Sequence, residues 1–349
     1  MKKQILAGVL SATMVVGMGG VSVFAADGAD DKTYNIGICQ LVQHEALDAA
    51  TQGFKDAITE ELGDKVTFDE QNAQGDSNTC STIITDFVSD NVDLILANAT
   101  PALQAAAAGT ADIPILGTSV TEYGVALDLD DFDGTVGNNI SGTSDLAPLE
   151  DQAAMLNELF PDAKNVGLVY CSAEANSQYQ VDTVKAALEK LGYTCEYYAF
   201  SDSNDLSSVA TTAATESDVI YVPTDNTVAS NTEIINNICL PEKVPVIAGE
   251  EGICEGCGVA TLSISYYDLG VATGKMALKV LVDGEDISKM PIEYAPQFTK
   301  EYNPEICEEL GIEVPDDYVA IGADAEEETS EDDADAADDT AEETTEEAE

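Results

Sequence analysis

The residues best suited to chemistry lie in short polar loops, each of which follows an apolar run and precedes a helical pattern. These loops are rich in Asn, Thr, Ser, Asp and Glu, whose side chains bind small polar molecules through hydrogen bonds. They are QLVQHEA (40–46), NAQGDSN (72–78), NATP (98–101), GTSVTE (117–122), CSAEANS (171–177), PTDNT (223–227) and GEEG (249–252). Ligands of open parallel sheets bind beyond the carboxyl ends of the strands, so the sequence predicts a binding site formed by these loops.

The same residue types also begin helices. Ser, Thr, Asn and Asp are preferred N-caps, and Thr100–Pro101 is typical of a cap followed by the first helical residue. The two roles are compatible, because helix N-termini around a cleft bind an anion through backbone N–H groups without a cationic side chain. Each loop residue is therefore a candidate for capping, for binding, or for both.

A ligand that carries both charges fits these loops. The chain contains no Arg, so a ligand carboxylate would be held by backbone N–H groups and hydroxyls, with Thr100, Thr118 and Ser119 as candidates. Two loop acids, Glu174 and Asp225, are candidates to bind an ammonium group. Together they suit a zwitterion such as an amino acid, and a neutral polar ligand fits the same residues.

The usual patterns of catalytic and metal sites are missing from the sequence. It contains no GxSxG, no phosphate-binding Gly loop and no HExxH, and His44 is its one histidine. The one CxxC, Cys254–Cys257, has no second pair of ligands to complete a zinc site. We therefore predict that the protein is not an enzyme and has no catalytic residue, no metal and no cofactor.

The eight cysteines invite a structural interpretation. For Cys254 and Cys257 a local disulfide or free thiols are favoured over redox catalysis. Cys171 and Cys195 lie on strands that we expect to be neighbours, and they would pair if the geometry allows.

Strand-like and helical segments alternate along the chain in two successive series. The predicted strands are 34–40, 66–72, 94–99, 114–119, 165–171, 194–200, 218–224, 244–250, 259–265 and 291–296. The predicted helices are 45–62, 77–90, 101–111, 176–192, 205–217, 228–241 and 266–284. This alternation predicts an α/β fold of two similar Rossmann-like lobes, with parallel sheets flanked by helices and a ligand cleft at the hinge.

The two lobes are predicted to be intertwined. The first lobe would contain residues 33–142 plus about 268–296, and the second 143–267 plus about 297–320. The segment 141–152 is the predicted crossover between them. Several crossings would form the hinge, with the cleft between the lobes.

The two ends of the chain differ from its middle. Residues 1–25 place two Lys before a long apolar segment that ends in small residues, which predicts a secretory signal peptide and an extracytoplasmic protein, secreted or at the cell surface. No Cys follows this segment to carry a lipid anchor. Residues 324–349 contain no Lys and no aromatic residue, and predict a disordered acidic tail. The net charge of −54 argues against a nucleic-acid or anionic-membrane partner.

Eight segments form a recognisable series. They are GICQLVQHEALDAATQGFKDAI, ANATPALQAAA, IPILGTSVTEYGVAL, ISGTSD, VYCSAEANSQYQV, YVPTDNTVAS, IAGEEG and YYDLGVATGKMALKVL. In this order, over about residues 33–313, they resemble the ABC-transporter substrate-binding proteins of the tryptophan/tyrosine-binding type, which have the type I periplasmic-binding-protein fold.

The resemblance implies an extracytoplasmic solute receptor that closes its two lobes on a small molecule and delivers it to an ABC permease in the membrane. In similar proteins the solute is often an aromatic amino acid, and we expect a monomer. The alternative is a sensor-type binding protein for another small solute, coupled to a membrane receptor. The missing lipid-anchor Cys, the acidic tail and CEGC depart from the family pattern.

The resemblance also carries over a set of ligand contacts, motif by motif. These candidates are Gln43, His44, Leu47, Asn98, Thr100, Thr118, Ser119, Glu174, Asn176, Ser177, Thr224, Asp225, Asn226, Glu250 and Glu251. Four tyrosines are candidate stacking partners for an aromatic ligand. They are Tyr123, Tyr179, Tyr266 and Tyr267.

Overall fold

The structure is a computed structural model, and it describes residues 32–322. The predicted signal peptide (1–25) and the predicted acidic tail (324–349) lie outside the described residues. Within residues 32–322, no helix combines the length and the apolar character that crossing a bilayer requires.

Strands and helices alternate through most of this part of the chain. The strands are β1 (Tyr34–Gln40), β2 (Val66–Asn72), β3 (Leu94–Asn98), β4 (Ile115–Val120), β5 (Ile140–Ser144), β6 (Asn165–Cys171), β7 (Thr194–Phe200), β8 (Val219–Val222), β9 (Val246–Ala248), β10 (Ala260–Ser263), β11 (Glu293–Tyr294), β12 (Thr299–Tyr302) and β13 (Val319–Ala320). The helices are α1 (Glu45–Leu62), α2 (Ser77–Asp90), α3 (Thr100–Gly109), α4 (Tyr123–Ala126), α5 (Leu149–Leu159), α6 (Ala175–Leu191), α7 (Ser203–Glu216), α8 (Asn226–Ala229), α9 (Thr232–Glu242), α10 (Glu251–Cys257), α11 (Tyr266–Leu281) and α12 (Pro304–Leu310).

The strands form two sheets. The first has the order β11-β5-β4-β3-β1-β2, and all its neighbours are parallel. The second has the order β13-β12-β10-β9-β8-β6-β7, and its one antiparallel pair is β10 with β12. Strand β8 and residues 94–97 of β3 are apolar runs buried on both faces, as a parallel sheet covered by helices requires. The predicted fold class is confirmed.

Within residues 32–322 the chain passes between the two sheets three times: after β5, between β10 and α11, and between β11 and β12. The first crossing leaves β5 at Ser144 and reaches α5 at Leu149, so it lies within the predicted crossover at 141–152, whose two ends belong to β5 and α5. The sequence of β5, ISGTS, has no apolar run, and the strand is buried because β4, β11 and α11 cover it. The exact lobe boundaries stay a prediction.

Helices α1 and α11 touch through glycines. A Cβ on Gly270 would lie 2.0 Å from the carbonyl oxygen of Ala50, and a Cβ on Gly53 would lie 2.1 Å from that of Tyr267. Such distances leave room for hydrogen alone, so the two backbones are in direct contact. Helix α11 follows β10 of the second sheet, yet it packs on α1, β4 and β5 of the first. This contact fixes the position of Tyr266, the first residue of α11.

All eight cysteines lie within the described residues, and all are buried free thiols. Of the two alternatives for Cys254 and Cys257, the structure has the free thiols, both on α10. The suggested pairing of Cys171 with Cys195 is wrong. Cys195 lies opposite Val166 in the register of β6 and β7, so the two thiols are about 16 Å apart along the ladder.

Candidate functional site

The loops at the carboxyl ends of the two sheets meet each other. His44, which precedes α1, contacts Asn226 of the second lobe, with 3.2 Å between Nε2 and Oδ1. Gln180 of α6 donates to Oγ1 of Thr121, beyond β4, at 3.5 Å. Burial lowers the pKa of His44, although the contact with Asn226 opposes that shift. The imidazole is therefore neutral near pH 7, and it serves as a polar contact between the lobes.

The first-lobe wall is formed by the ends of β3 and β4. Asn98 is buried, and its Nδ2 donates to the carbonyl of Leu47 at 2.8 Å and to Oγ1 of Thr51 at 2.9 Å. This orients Oδ1 of Asn98, which has no hydrogen-bond partner among the described residues. Ser119 has a left-handed backbone, with φ of 53°, and its buried hydroxyl also lacks a partner there. Strained residues of this kind cluster at ligand sites.

Three helices that begin at these loops have no side-chain cap. They are α1, α3 and α6, whose N-caps are His44, Ala99 and Glu174. The N-cap of α3 is Ala99, whose φ of 91° is not helical, so Thr100 is the first residue of the helix and not its predicted cap. In contrast, α2 is capped by the carboxylate of Asp76. The first N–H groups of the uncapped helices are thus available to an anion.

The two acids that were candidates for an ammonium group are used within the second lobe. Oε2 of Glu174 accepts from the backbone N–H of Asn226 at 3.1 Å and from its Nδ2 at 2.7 Å. Oε1 accepts from the backbone N–H of Thr227 at 2.9 Å and from its Oγ1 at 2.8 Å. Asp225 caps α8 and accepts from the backbone N–H of Cys171 at 2.6 Å. Burial and the nearby Glu174 charge raise the pKa of Asp225.

The second-lobe wall contains a compact amide network. Nδ2 of Asn176 donates to the carbonyl of Thr224 at 3.1 Å, and Gln180 bonds both the carbonyl and the N–H of Thr224, at 3.2 and 3.1 Å. Because the donors of Asn176 face inward, its Oδ1 is left buried without a partner among the described residues. Asn176 and Gln180 are one helical turn apart, so they share a face of α6, from which Gln180 contacts Thr121 of the first lobe.

The rim of the interlobe region is acidic. A cavity of about 310 Å³ is lined by residues that include Gln43, Glu45, Glu250 and Glu255. Glu250 caps α10 through two backbone N–H groups, at 2.6 and 2.8 Å, and burial raises its pKa to about 7. Burial and a hydrogen bond shared with Glu255 raise the pKa of Glu45 to about 7. Gln43 is exposed at this rim, and Glu251 is half-buried beside Glu250.

Three other candidates lie beneath the loops rather than at their surface. The side chain of Leu47 is part of the first-lobe core. Thr118 and Ser177 are fully buried. The hydroxyl of Thr118 lies 3.3 Å from that of Thr143 on the neighbouring strand.

Of the four candidate tyrosines, Tyr266 lies at the junction of the lobes. Tyr123 is in the first-lobe core, where it stacks on Phe132 and donates to the carbonyl of Thr143 at 2.9 Å. Tyr267 is exposed, and its hydroxyl donates to Oδ2 of Asp56 on α1 at 3.1 Å. Tyr179 packs at the edge of the second-lobe core.

Asp145 was missed by the sequence interpretation. It is buried directly after β5, its Oδ2 accepts from the hydroxyl of Tyr266 at 3.1 Å, and its Oδ1 has no partner among the described residues. Burial raises the pKa of Asp145 to about 6. The signal was present: Asp145 ends the segment ISGTSD, and recognising ISGTS as a strand would have placed Asp145 in the first position beyond its carboxyl end.

The chain is similar to several known proteins. A family model described as ABC transporter substrate binding protein matches residues 35–326. A tyrosine-binding protein of Clostridioides difficile (strain R20291) is 36% identical over 299 residues, 82% of this chain and 85% of that protein.

Two solved structures are also similar. An ABC domain of Streptococcus pneumonia in complex with L-Trp has 34% identity and a TM-score of 0.78, and the match covers 82% of this chain and 97% of that one. The ligand-free, open structure of a substrate-binding protein with adhesive properties from Clostridium difficile has 38% identity and a TM-score of 0.63, with 82% and 99% covered.

Proposed function

Because the chain belongs to the ABC transporter substrate-binding proteins, we propose that it is an extracytoplasmic receptor that binds an amino acid between its lobes and delivers it to an ABC permease. An aromatic amino acid is the proposed class, since one relative is named as tyrosine-binding and another was solved with L-Trp. The proposed role is capture and delivery of an unchanged solute, without catalysis.

Four buried polar atoms without partners among the described residues carry the amino-acid assignment. They are Oδ1 of Asn98, Oγ of Ser119, Oδ1 of Asp145 and Oδ1 of Asn176. A buried polar atom without a partner costs about 1–3 kcal/mol, so a ligand that pairs with several of them recovers that free energy on binding. Three of the four are carbonyl or carboxylate oxygens, which suit the donors of an ammonium group. The uncapped N-termini of α1, α3 and α6 suit the carboxylate.

The arrangement of the lobes supports this proposal. The first-lobe and second-lobe walls are joined by the His44–Asn226 and Thr121–Gln180 contacts. The chain also has a higher TM-score to the L-Trp complex than to the ligand-free, open relative, at similar identity. Both observations favour a closed arrangement, in which Gln43, Glu250 and Glu251 form the rim, Thr100 and Asn98 the first-lobe contacts, and Asn176, Thr224 and Asn226 the second-lobe contacts.

Calorimetric titration of the purified protein against the twenty amino acids tests the proposal. We expect tight binding of at least one aromatic amino acid, and a raised melting temperature, since a ligand at 100 times its Kd stabilises the folded protein by about 2.7 kcal/mol. If no amino acid binds and no aromatic compound raises the melting temperature, the proposed function is wrong.

A further inference from the structure

The described residues contain four buried acids, and they differ in what their oxygens contact. These acids are Asp145, Glu174, Asp225 and Glu250. Both oxygens of Glu174 accept hydrogen bonds from residues of its own lobe, and Asp225 and Glu250 each accept two backbone N–H groups. Asp145 differs, because its Oδ1 is buried and has no partner among the described residues.

The surroundings of Asp145 come from both lobes. Its backbone N–H donates to the carbonyl of Val120 at the end of β4. Its Oδ2 accepts from the hydroxyl of Tyr266 at 3.1 Å. The side chains of Thr121 and Tyr266 both favour its charged form, and Thr224 of the second lobe lies close enough to Tyr266 to influence that hydroxyl. The Thr224 carbonyl in turn holds Asn176, whose Oδ1 is the other unpaired acceptor nearby. Each lobe therefore contributes one buried acceptor oxygen without a partner among the described residues to the surroundings of Tyr266 and Thr224.

The chemistry of this arrangement favours a cation with several N–H donors. A carboxylate oxygen removed from water is stabilised by a charged donor far more than by a neutral one. The other titratable groups that face Asp145 are Tyr123 and Tyr266, and the pKa of each is raised well above its ordinary value by burial, so both are neutral near pH 7. Glu250 acts on Tyr266 from the second lobe, and its charge adds to the preference for a cation.

We propose that Asp145 binds the ammonium group of the ligand through Oδ1, with Asn176 as the acceptor from the facing lobe and Tyr266 as the residue that positions the carboxylate. The proposal rests on the proposed function, since it names the group that recognises the amino end of an amino acid. Glu174 and Asp225 were the candidates for this role from the sequence. The proposal assigns the role instead to Asp145, at the crossing between the lobes after β5.

The test pairs each ligand with its analogue that lacks the amino group. L-Tyrosine and 3-(4-hydroxyphenyl)propionate, and L-tryptophan and indole-3-propionate, are titrated into the wild type, Asp145→Asn and Asp218→Asn at about pH 7.5. Asp218 is the matched control, because its carboxylate accepts backbone N–H groups of Lys164 and Asn165 at the opposite end of β6. We expect the wild type and the control to prefer the amino acid by at least about 100-fold, and Asp145→Asn to retain less than about 10-fold preference.

If Asp145→Asn keeps the wild-type preference, the assignment of Asp145 is overturned while the proposed function stands. If the wild type binds neither L-tyrosine nor L-tryptophan nor any other amino acid, the proposed function itself is wrong. These two results are distinguished by the wild-type titration alone.

Proton release provides a readout that does not depend on the variant folding. In the closed arrangement burial raises the pKa of Asp145 to about 6, and an ammonium group would lower it. At about pH 5.5, binding of the amino acid should therefore leave roughly half a proton fewer on the protein than binding of its analogue. The analogues close the same cleft without the ammonium group, and they should release less. Equal release for ligand and analogue, measured in buffers of different ionisation enthalpy, would overturn the assignment.

Tyr266→Phe tests the positioning role. Loss of the hydroxyl donor should raise the pKa of Asp145, so the pH below which amino-acid affinity falls should move upward. Affinity near pH 8 should fall by less than it does in Asp145→Asn. A variant with an unshifted pH profile would overturn the role of Tyr266.

Discussion

Replacing Glu174 with Gln should destabilise the ligand-free protein, because the carboxylate supports the loop that leads into α8. Its two oxygens accept five hydrogen bonds: four from the backbone and side chains of Asn226 and Thr227, and one at 3.3 Å from Nδ2 of Asn176. An amide has one oxygen. Whichever way the Gln side chain is oriented, its NH₂ group faces a backbone N–H and a side-chain donor, and that pair of donors loses its acceptor.

The size of the effect follows from this count. Each buried donor left without an acceptor costs about 1–3 kcal/mol, so two cost about 2–6 kcal/mol. Removing the charge relieves its repulsion with Asp225, whose pKa it helps to raise, and this offsets part of the loss. We expect a net loss of about 2–4 kcal/mol in the free energy of unfolding, or roughly 5–10 °C in melting temperature for a protein of this size.

The assay is thermal unfolding of the ligand-free protein followed by circular dichroism, with ligand affinity measured in parallel. Glu189→Gln is the matched control on α6, because Glu189 is exposed and its one ion pair, with Lys185, is at the surface. Its melting temperature should stay within about 1 °C of the wild type. If Glu174→Gln melts like the wild type while its affinity falls, Glu174 binds the ligand directly and its support role is refuted.

Three further predictions concern packing, pH and the tyrosines. Gly270→Ala should lower the free energy of unfolding by about 2 kcal/mol, because pushing a Cβ against the carbonyl of Ala50 outweighs the better helix propensity of Ala; an unchanged denaturant midpoint would contradict the close contact. Burial and the hydrogen bond with Glu255 raise the pKa of Glu45 to about 7, so Glu45 holds its proton more tightly when the lobes are closed. The protonated contact therefore favours closure most at a pH below the ordinary pKa of Glu, and this effect is lost as the pH rises through about 7. Between about pH 5 and 8, ligand affinity should therefore decline less in Glu45→Gln than in the wild type. An equal decline of affinity in both proteins, measured by calorimetric titration at several pH values, would contradict this role of the contact. Tyr123→Phe should cost about 1 kcal/mol of stability through its lost hydrogen bond with Kd unchanged, and a Kd that moves more than about threefold would instead point to contact with the ligand.

Much of the fold could be predicted because local sequence and burial agree there. Strands such as β3, LILAN, are apolar up to their last residue, Asn98, and only a position between two layers of helices suits such a run. Strand β5 was missed because its burial comes from its neighbours. Ser141 illustrates this: its hydroxyl donates to the carbonyl of Met290, which is far away in sequence.

The site shows the same division. The loops that contain Asn98, Ser119 and Asn176 follow recognisable strands, and these residues were predicted candidates. The sequence could not predict which of their polar atoms would lack a hydrogen-bond partner. That depends on the tertiary contacts of the other polar atoms of the same residue. Glu174 looked like an acceptor for a ligand, and the donors that occupy it lie more than fifty residues further along the chain.

The glycine contact between α1 and α11 also bears on how the chain folds during synthesis. Residues of α1 emerge from the ribosome more than two hundred positions before Gly270 does. Before α11 has been made, the face of α1 that contains Gly53 lacks the helix on which it packs. Strand β5 likewise lacks its neighbour β11 until β11 has been made. The N-terminal lobe therefore cannot reach its native packing as the first part of the chain appears, unlike domains that fold one after another. A chain arranged in this way completes the packing of its first lobe only after α11 and β11 have been made.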